Sequence, residues 1–216
     1  MIEHSSRAFL PAAGHDWFLP FYDPLTSLLG VDDARRELMA RAALQSRHRV
    51  LDIGCGTGSL SILIKTLHPD VDVVGLDPDA KALARAHRKA ARAGASIDFD
   101  RGFSDALPYP DATFDRVFSS MMFHHLGSDE KVKTLVEVRR VLKPGGRLLM
   151  LDFAGPDASA DSALARWLQS HHRLGENGEH RIVGLMIAAG FAAPKKTAER
   201  RILFGRLAYY QASRHI

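Results

Sequence analysis

The chain has a single cysteine in 216 residues, Cys55. No disulfide can form within it, which suits a reducing compartment, and a cytoplasmic location is expected. No apolar run approaches the ~20 residues that a membrane span needs, so no stable membrane insertion is expected. The N-terminus does not read as a signal peptide, and there are no repeats and no low-complexity tract. The familiar catalytic signatures are missing: no H-E-x-x-H, no C-x-x-C, no G-x-S-x-G. Histidines number eleven, yet His124/His125 and His171/His172 are adjacent pairs. Neighbouring residues do not converge on one ion from a helix face, and no metal is assigned. The charge imbalance is small, +4 with a pI near 9.4. That excess is too diffuse to argue for a nucleic-acid partner, and none is expected.

What is present is an ordinary globular composition, 46% hydrophobic and 25% charged, in a length that suits one domain over residues 1–216. Its organising stretch runs from Arg49 to Leu60, RVLDIGCGTGSL. Val50, Leu51 and Ile53 read as a buried parallel strand. The strand breaks into Gly54, Gly56 and Gly58, and a helix-prone run follows from Ser59 to Leu67. Strand, glycine turn and helix form the front of a nucleotide-binding βαβ unit. The spacing is G-x-G-x-G with Asp52 just ahead, not the G-x-G-x-x-G of dinucleotide folds. Cys55 reads as a small residue filling the tight turn rather than a reactive thiol. A second strand, Val71 to Leu76, ends in Asp77, roughly 20 residues past the turn, where an acid reaches a ribose. The competing reading makes Asp77 an N-cap with Pro78 opening the next helix; ribose binding is favoured.

These segments resemble a class I S-adenosylmethionine-dependent methyltransferase. The resemblance rests on VLDIGCGTG (50–58), VGLDPD (74–79), LPYPDATFDRV (107–117) and VLKPGGRLL (141–149), and runs from about Tyr22 to the C-terminus. It is nearest to the small-molecule branch of ubiquinone/menaquinone C-methyltransferases. It implies an α/β, Rossmann-like fold: a seven-stranded, mostly parallel sheet, helices on both faces, and a C-terminal antiparallel pair. It implies S-adenosyl-L-methionine as cofactor, held by Asp52, Gly54, Cys55, Gly56, Thr57, Asp77 and Pro78. The family's adenine corner usually has an Asp or Asn where this chain has Phe103, followed by Ser104. Phe103 is either an aromatic wall for the adenine or a core residue, and Asp105 is close enough in sequence to stand in for the missing acid. Ser120 would help hold the methionine end. A segment over 155–181 would cover the acceptor, and residues 1–45 would form a helical lid.

The remaining signals are coarser. Trp17, Phe18, Phe21 and Tyr22 crowd a stretch of a chain that is only 8% aromatic; they pack over the ligand or cap a sheet edge. Asp32 is the expected N-cap of a helix carrying Ala34, Leu38, Ala42 and Leu44. The helix from Pro78 to Ala93 carries Lys81, Arg85, Arg88, Lys89 and Arg92, and reads as a solvated face. Met121 to Leu126 follow the fourth strand, and so should border the reaction site. Ser128 is expected to cap the next helix, with Val132, Leu135, Val136 and Val138 toward the core. Pro144, Gly145 and Gly146 should turn it into a fifth strand from Arg147. The last helix, Ile182 to Ala189, precedes strands near Lys196–Leu203 and Leu207–Ala212.

The implied reaction is methyl transfer to a small acceptor through an O, C or N nucleophile. It needs placement more than a catalytic constellation. His125, His124 and Tyr22 are the candidate bases, each with a structural role as the alternative. The Met and aromatic content suits an apolar or aromatic acceptor, and equally suits core. Two competing classes are a cofactor-binding module without chemistry and a NAD-type oxidoreductase. The glycine spacing and the Pro-Gly-Gly turn weigh against the second.

Overall fold

The computed structural model describes residues 30–154, 179–202 and 205–215. Tyr22, residues 1–29 of the lid expected over 1–45 and residues 155–178 of the acceptor cover expected over 155–181 lie outside the described residues. Within them the order is α1 (Val31–Ala40), β1 (Arg49–Ile53), α2 (Ser59–Leu67), β2 (Asp72–Asp77), α3 (Ala80–Arg92), β3 (Asp98–Arg101) and β4 (Phe114–Ser120). A short 3-10 turn, Phe123–His125, then leads to α4 (Ser128–Val141), β5 (Leu142–Phe153), α5 (Glu179–Ala188), β6 (Ala192–Ile202) and β7 (Gly205–Ser213).

One sheet holds all seven strands in the order β3-β2-β1-β4-β5-β7-β6. β1 to β5 are parallel, and β7 is antiparallel to both β5 and β6. The expected architecture is therefore the observed one. The chain builds outward from β1 to β3, then crosses back to lay β4 on the other side of β1. That reversal is the switch point at which open α/β sheets leave a crevice beyond their strand ends.

The strands are apolar on both faces because helices cover both. Leu51, Val117, Leu148 and Met150 join Leu135 and Val138 of α4 and Ile182 and Met186 of α5. Their chain neighbours Val50, Phe118, Leu149 and Leu151 face the opposite way, into Leu38 of α1 and Leu60 and Ile64 of α2. The pleat's alternation distributes one run of sequence between two cores. Tyr209 and Tyr210 on β7 divide in the same way, and the Tyr209 hydroxyl donates to Glu37 Oε2 at 2.9 Å.

Several boundaries differ from the sequence reading. Gly30, at φ +78°, is the N-cap of α1, and Asp32 sits in the first turn, 2.9 Å from Arg35. Glycine reaches this left-handed conformation without the penalty a Cβ brings. Ser128 is the first residue of α4 rather than its cap; Glu130 Oε2 accepts the Gly127 N–H at 2.9 Å instead. α4 is also rotated from the expected phase. Leu135, Val138 and Val141 face inward with Lys131 and Thr134, while Val132 and Val136 are 43% and 49% exposed. The inward stripe prevails because it continues directly into Leu142 of β5, and the methylenes of a lysine can lie in an apolar contact. β5 begins at Leu142 rather than Arg147: Leu142 already pairs with Phe114, and the register shifts before Arg116 meets Arg147. Gly145, at φ +73°, makes this a kink within a strand rather than a break before one.

Gly75 lies at the centre of β2, where an added Cβ would come within 2.7 Å of Phe99 and 2.9 Å of Cys55 Sγ. Gly75→Ala should therefore lower stability by about 1–3 kcal/mol through overpacking. Urea denaturation of the two proteins side by side measures it, and an unchanged midpoint would refute it.

Candidate functional site

A cavity of about 410 Å³ opens where β1, β2 and β4 end. That volume is within the range for small-molecule sites. Its base is the glycine turn. Gly54 and Cys55 both donate their N–H to the Leu76 carbonyl, at 2.8 and 3.1 Å, which folds the end of β1 over the end of β2. Gly54 has φ +65°, and a Cβ there would overlap the Met122 side chain. Gly54 thus makes room for Met122, whereas the space beside Gly56 is open.

Asp77 closes the turn. Its Oδ2 accepts the Gly56 N–H at 2.8 Å and its Oδ1 accepts the Asp79 N–H at 2.9 Å. Burial pushes its carboxyl up, against those two bonds. Asp77 is not the helix cap. Asp79 holds that role through Lys81 N at 2.8 Å, and Pro78 stands ahead of the cap. The other Asp79 oxygen, Oδ2, is buried at the cavity wall without a partner among the described residues. Asp52 Oδ2 accepts the Ser61 hydroxyl at 2.6 Å. Burial pushes the Asp52 carboxyl up to about 6; the Ser61 bond and the charge of Arg35 pull it down, and Asp77 adds to the rise.

Of the residues proposed from the sequence, Asp52, Gly54, Cys55, Gly56, Thr57, Asp77, Pro78, Phe103, Ser104, Ser120 and His125 all line the cavity. Cys55 is a wall residue whose thiol is pushed well up by burial and by the nearby Asp52 and Asp77 charges; that favours packing over reactivity. Thr57 receives Lys89 Nζ at 3.2 Å, and Ser104 shares a 2.9 Å hydrogen bond with Thr134. The Ser120 hydroxyl is buried with no partner among the described residues. Asp105 does not line the cavity.

The two histidines separate. His125 is on the cavity wall. His124 is behind it, 3% exposed, with Nδ1 2.7 Å from Asp152 Oδ1 and its backbone N–H donating to Asp152 Oδ2 at 3.2 Å. Asp152 is fully buried, which alone would raise its carboxyl; the His124 charge and hydrogen bond reverse this and hold it low. The two rings lie 4.0 Å apart between centroids. Among the described residues, no group of three or more His, Cys, Asp or Glu is placed to hold a metal ion.

Arg35, Asp79 and Glu130 are polar wall residues that the sequence reading did not assign to the site, while Met122, in the segment expected to border it, packs on Gly54. Arg35 comes from α1. One guanidinium nitrogen reaches Asp32, while Nε is buried without a partner. Its signal was its phase: it follows Ala34 and precedes Leu38 on the buried side of α1.

The glycine turn, the paired acids at the ends of β1 and β2, and an antiparallel β7 between β5 and β6 define a class I S-adenosylmethionine-dependent methyltransferase domain. Residues 50–146 match the family model for a methyltransferase domain, and the chain belongs to that family. Within it, the chain is similar to methyltransferases of the ubiquinone/menaquinone type. It is 39% identical over 155 residues to a demethylmenaquinone methyltransferase of Deinococcus radiodurans, covering 70% of this chain and 64% of that one. It is 40% identical over 144 residues to the enzyme of the same name from Thermus thermophilus, covering 65% and 64%. The chain thus spans just under two thirds of the length of these curated relatives. The YcgJ protein of Bacillus subtilis has the same fold, with a TM-score of 0.71 at 19% identity over 85% of this chain and 99% of that one.

Asp52 binds its proton more tightly folded, near pH 6, than unfolded, near 3.8. The folded state therefore holds more protons across that window, and stability falls as pH rises through it. Asp52→Asn should be more stable than the parent at pH 8, by on the order of 2–3 kcal/mol, and should lose that advantage at pH 3.5. Chemical denaturation at the two pH values tests this; an Asn variant less stable at pH 8 would contradict it.

Proposed function

We propose that the chain transfers a methyl group from S-adenosylmethionine to a small aromatic acceptor of the quinol class. The observation that carries this reading is a set of buried polar atoms on cavity-lining residues that have no partner among the described residues: Arg35 Nε, Ser120 Oγ and Asp79 Oδ2. Buried polar groups are normally satisfied, so these atoms ask for a ligand. The ligand they ask for has an anionic group for Arg35 and Ser120, and hydrogen-bond donors for Asp79. An amino-acid carboxylate at one end and a nucleoside at the other meet both demands.

In this reading Asp77 receives the ribose hydroxyls and Asp79 supplements it. Phe103 and Ser104 flank the adenine, in the corner where the usual acid is missing. Gly56 allows close backbone approach, and Arg35 with Ser120 holds the amino-acid carboxylate. The fit in charge is good, since Asp52 and Asp77 put carboxylates beside a ligand that carries positive charge.

The cofactor supplies a methyl group already activated on a cationic sulfur. The chain supplies placement, a contribution that can reach ~7–11 kcal/mol. Met121, Met122, Phe103 and Leu126 give the cavity an apolar wall, which suits an aromatic ring and excludes water. His125, on that wall, takes the hydroxyl proton of the acceptor, so that ring electrons can attack carbon. The acceptor class is taken from the relatives, which are named as demethylmenaquinone methyltransferases, and from the apolar wall.

Two experiments test this. Calorimetry on ligand-stripped protein should give one S-adenosylmethionine site and no NAD binding. Arg35→Gln should weaken S-adenosylmethionine by about 10–100-fold, the worth of a charge-assisted hydrogen bond, and leave 5′-methylthioadenosine, which lacks the carboxylate, unchanged. Equal losses for both ligands would remove Arg35 from the carboxylate end. With a 1,4-naphthoquinol lacking its ring methyl, His125→Ala should lower kcat by about 10²–10⁴-fold while cofactor affinity holds. Cofactor binding without any transfer would leave a binding module in place of an enzyme.

A further inference from the structure

The positive charge of this protein is not spread over it. α2 and α3 are neighbouring helices, joined where Gly58 meets Ala86. Together they carry Lys65, Lys81, Arg85, Arg88, Lys89 and Arg92 and not one Asp or Glu. The whole chain nets +4; +4 less these six leaves −2 for all the rest. The other long helix of charged composition, α4, mixes both signs.

On α3 the cations are ordered. At 3.6 residues per turn, Lys81, Arg85, Arg88 and Arg92 fall within an arc of about 60°, over a length of about 17 Å. The arc lies opposite the buried residues Ala82, Leu83, Ala86 and Ala90; Lys81, Arg88 and Arg92 are exposed and Arg85 is half-buried. Arg85, Arg88 and Arg92 have no hydrogen bond or ion pair to any acid among the described residues. Lys89 Nζ donates to the Thr57 and Ser59 hydroxyls, and Lys65 Nζ to the Pro69 and Val71 carbonyls. Like charges at i,i+3 and i,i+4 repel, and a cation in a helix's first turn opposes the helix dipole. Lys89 and Arg92, in the last turn, suit the dipole, but the mutual repulsion along the stripe remains, and a polyanion outside the protein would offset it.

We propose that the α2–α3 face docks on an anionic lipid bilayer surface. Juxtaposed lysines and arginines are drawn to such a surface within about a Debye length. Neither helix carries a Phe, Tyr or Trp that could stack on a nucleic-acid base, and the ring of His87 on α3 is packed edge-on against Phe99. The stripe begins directly after Pro78 and Asp79, which wall the cavity. A bilayer held by α3 therefore lies close to the opening that an apolar acceptor must enter. The choice of a bilayer over other polyanions rests on the quinol reading of the acceptor.

The test uses the whole protein without cofactor or acceptor, so it can fail independently of the methyltransferase assignment. Co-sedimentation at about 0.1 M salt should capture the protein on mixed phosphatidylglycerol–phosphatidylcholine vesicles and not on phosphatidylcholine alone. The bound fraction should fall as salt rises. R88E/R92E should weaken capture by about tenfold or more. K195E/R201E, the same charge change on exposed positions of β6, should stay within about twofold. Circular dichroism and S-adenosylmethionine binding confirm that each variant is folded. Equal losses in both variants would reduce the effect to net charge and overturn the proposal. So would indifference to phosphatidylglycerol, or capture by poly(U) RNA in the absence of capture by vesicles.

Discussion

The site depends on one carboxylate and one carbonyl. Asp77 takes the N–H groups of Gly56 and Asp79, one on each oxygen, and the Leu76 carbonyl takes those of Gly54 and Cys55. Four donors that a turn between strand and helix would otherwise leave unsatisfied are thereby tied to the end of β2. The turn after β1 and the start of α3 become one rigid rim. Everything else about the cavity follows from where that rim stands: Ser120 and His125 approach from β4 on one side, Phe103 and Ser104 from β3 on the other, and Arg35 from α1.

Burial sets the electrostatic character of this rim. Two carboxylates in a largely dry setting are both pushed toward protonation. The protein tolerates this because each carboxylate accepts hydrogen bonds, and because Arg35 lies close enough to Asp52 to lower its carboxyl. A cationic ligand would relieve the same strain more directly. The arrangement is costly when empty and favourable when filled, as pre-organised sites generally are.

Much of this was legible in the sequence because it depends on local chemistry. The apolar run 50–53, the three glycines and the two acids are local signals, and β1, α2, β2 and α3 fall within two residues of where those signals put them. Contacts made across the fold were not legible. Arg35 looked like any surface cation on a charged helix until α1 was packed against the sheet. His124 and His125 could not be told apart, since which one faces the cavity depends on Asp152, 28 residues away. Asp32 and Ser128 have good capping side chains, yet a glycine one or two residues earlier starts each helix. Val132 and Val136 have helical spacing, but the rotation of α4 was fixed by Leu135 and Val138 against the sheet.

The order of the last two strands also bears on how the molecule is made. β6 precedes β7 in the chain but pairs only with β7, which lies between it and β5. As the polypeptide leaves the ribosome, residues 192–202 emerge with no seat in the sheet and must wait for residues 205–213 to arrive. Until then β5 presents an open, apolar edge of the kind that recruits other chains. The lysines, arginines and proline of β6 then guard the segment during its delay as well as in the finished fold.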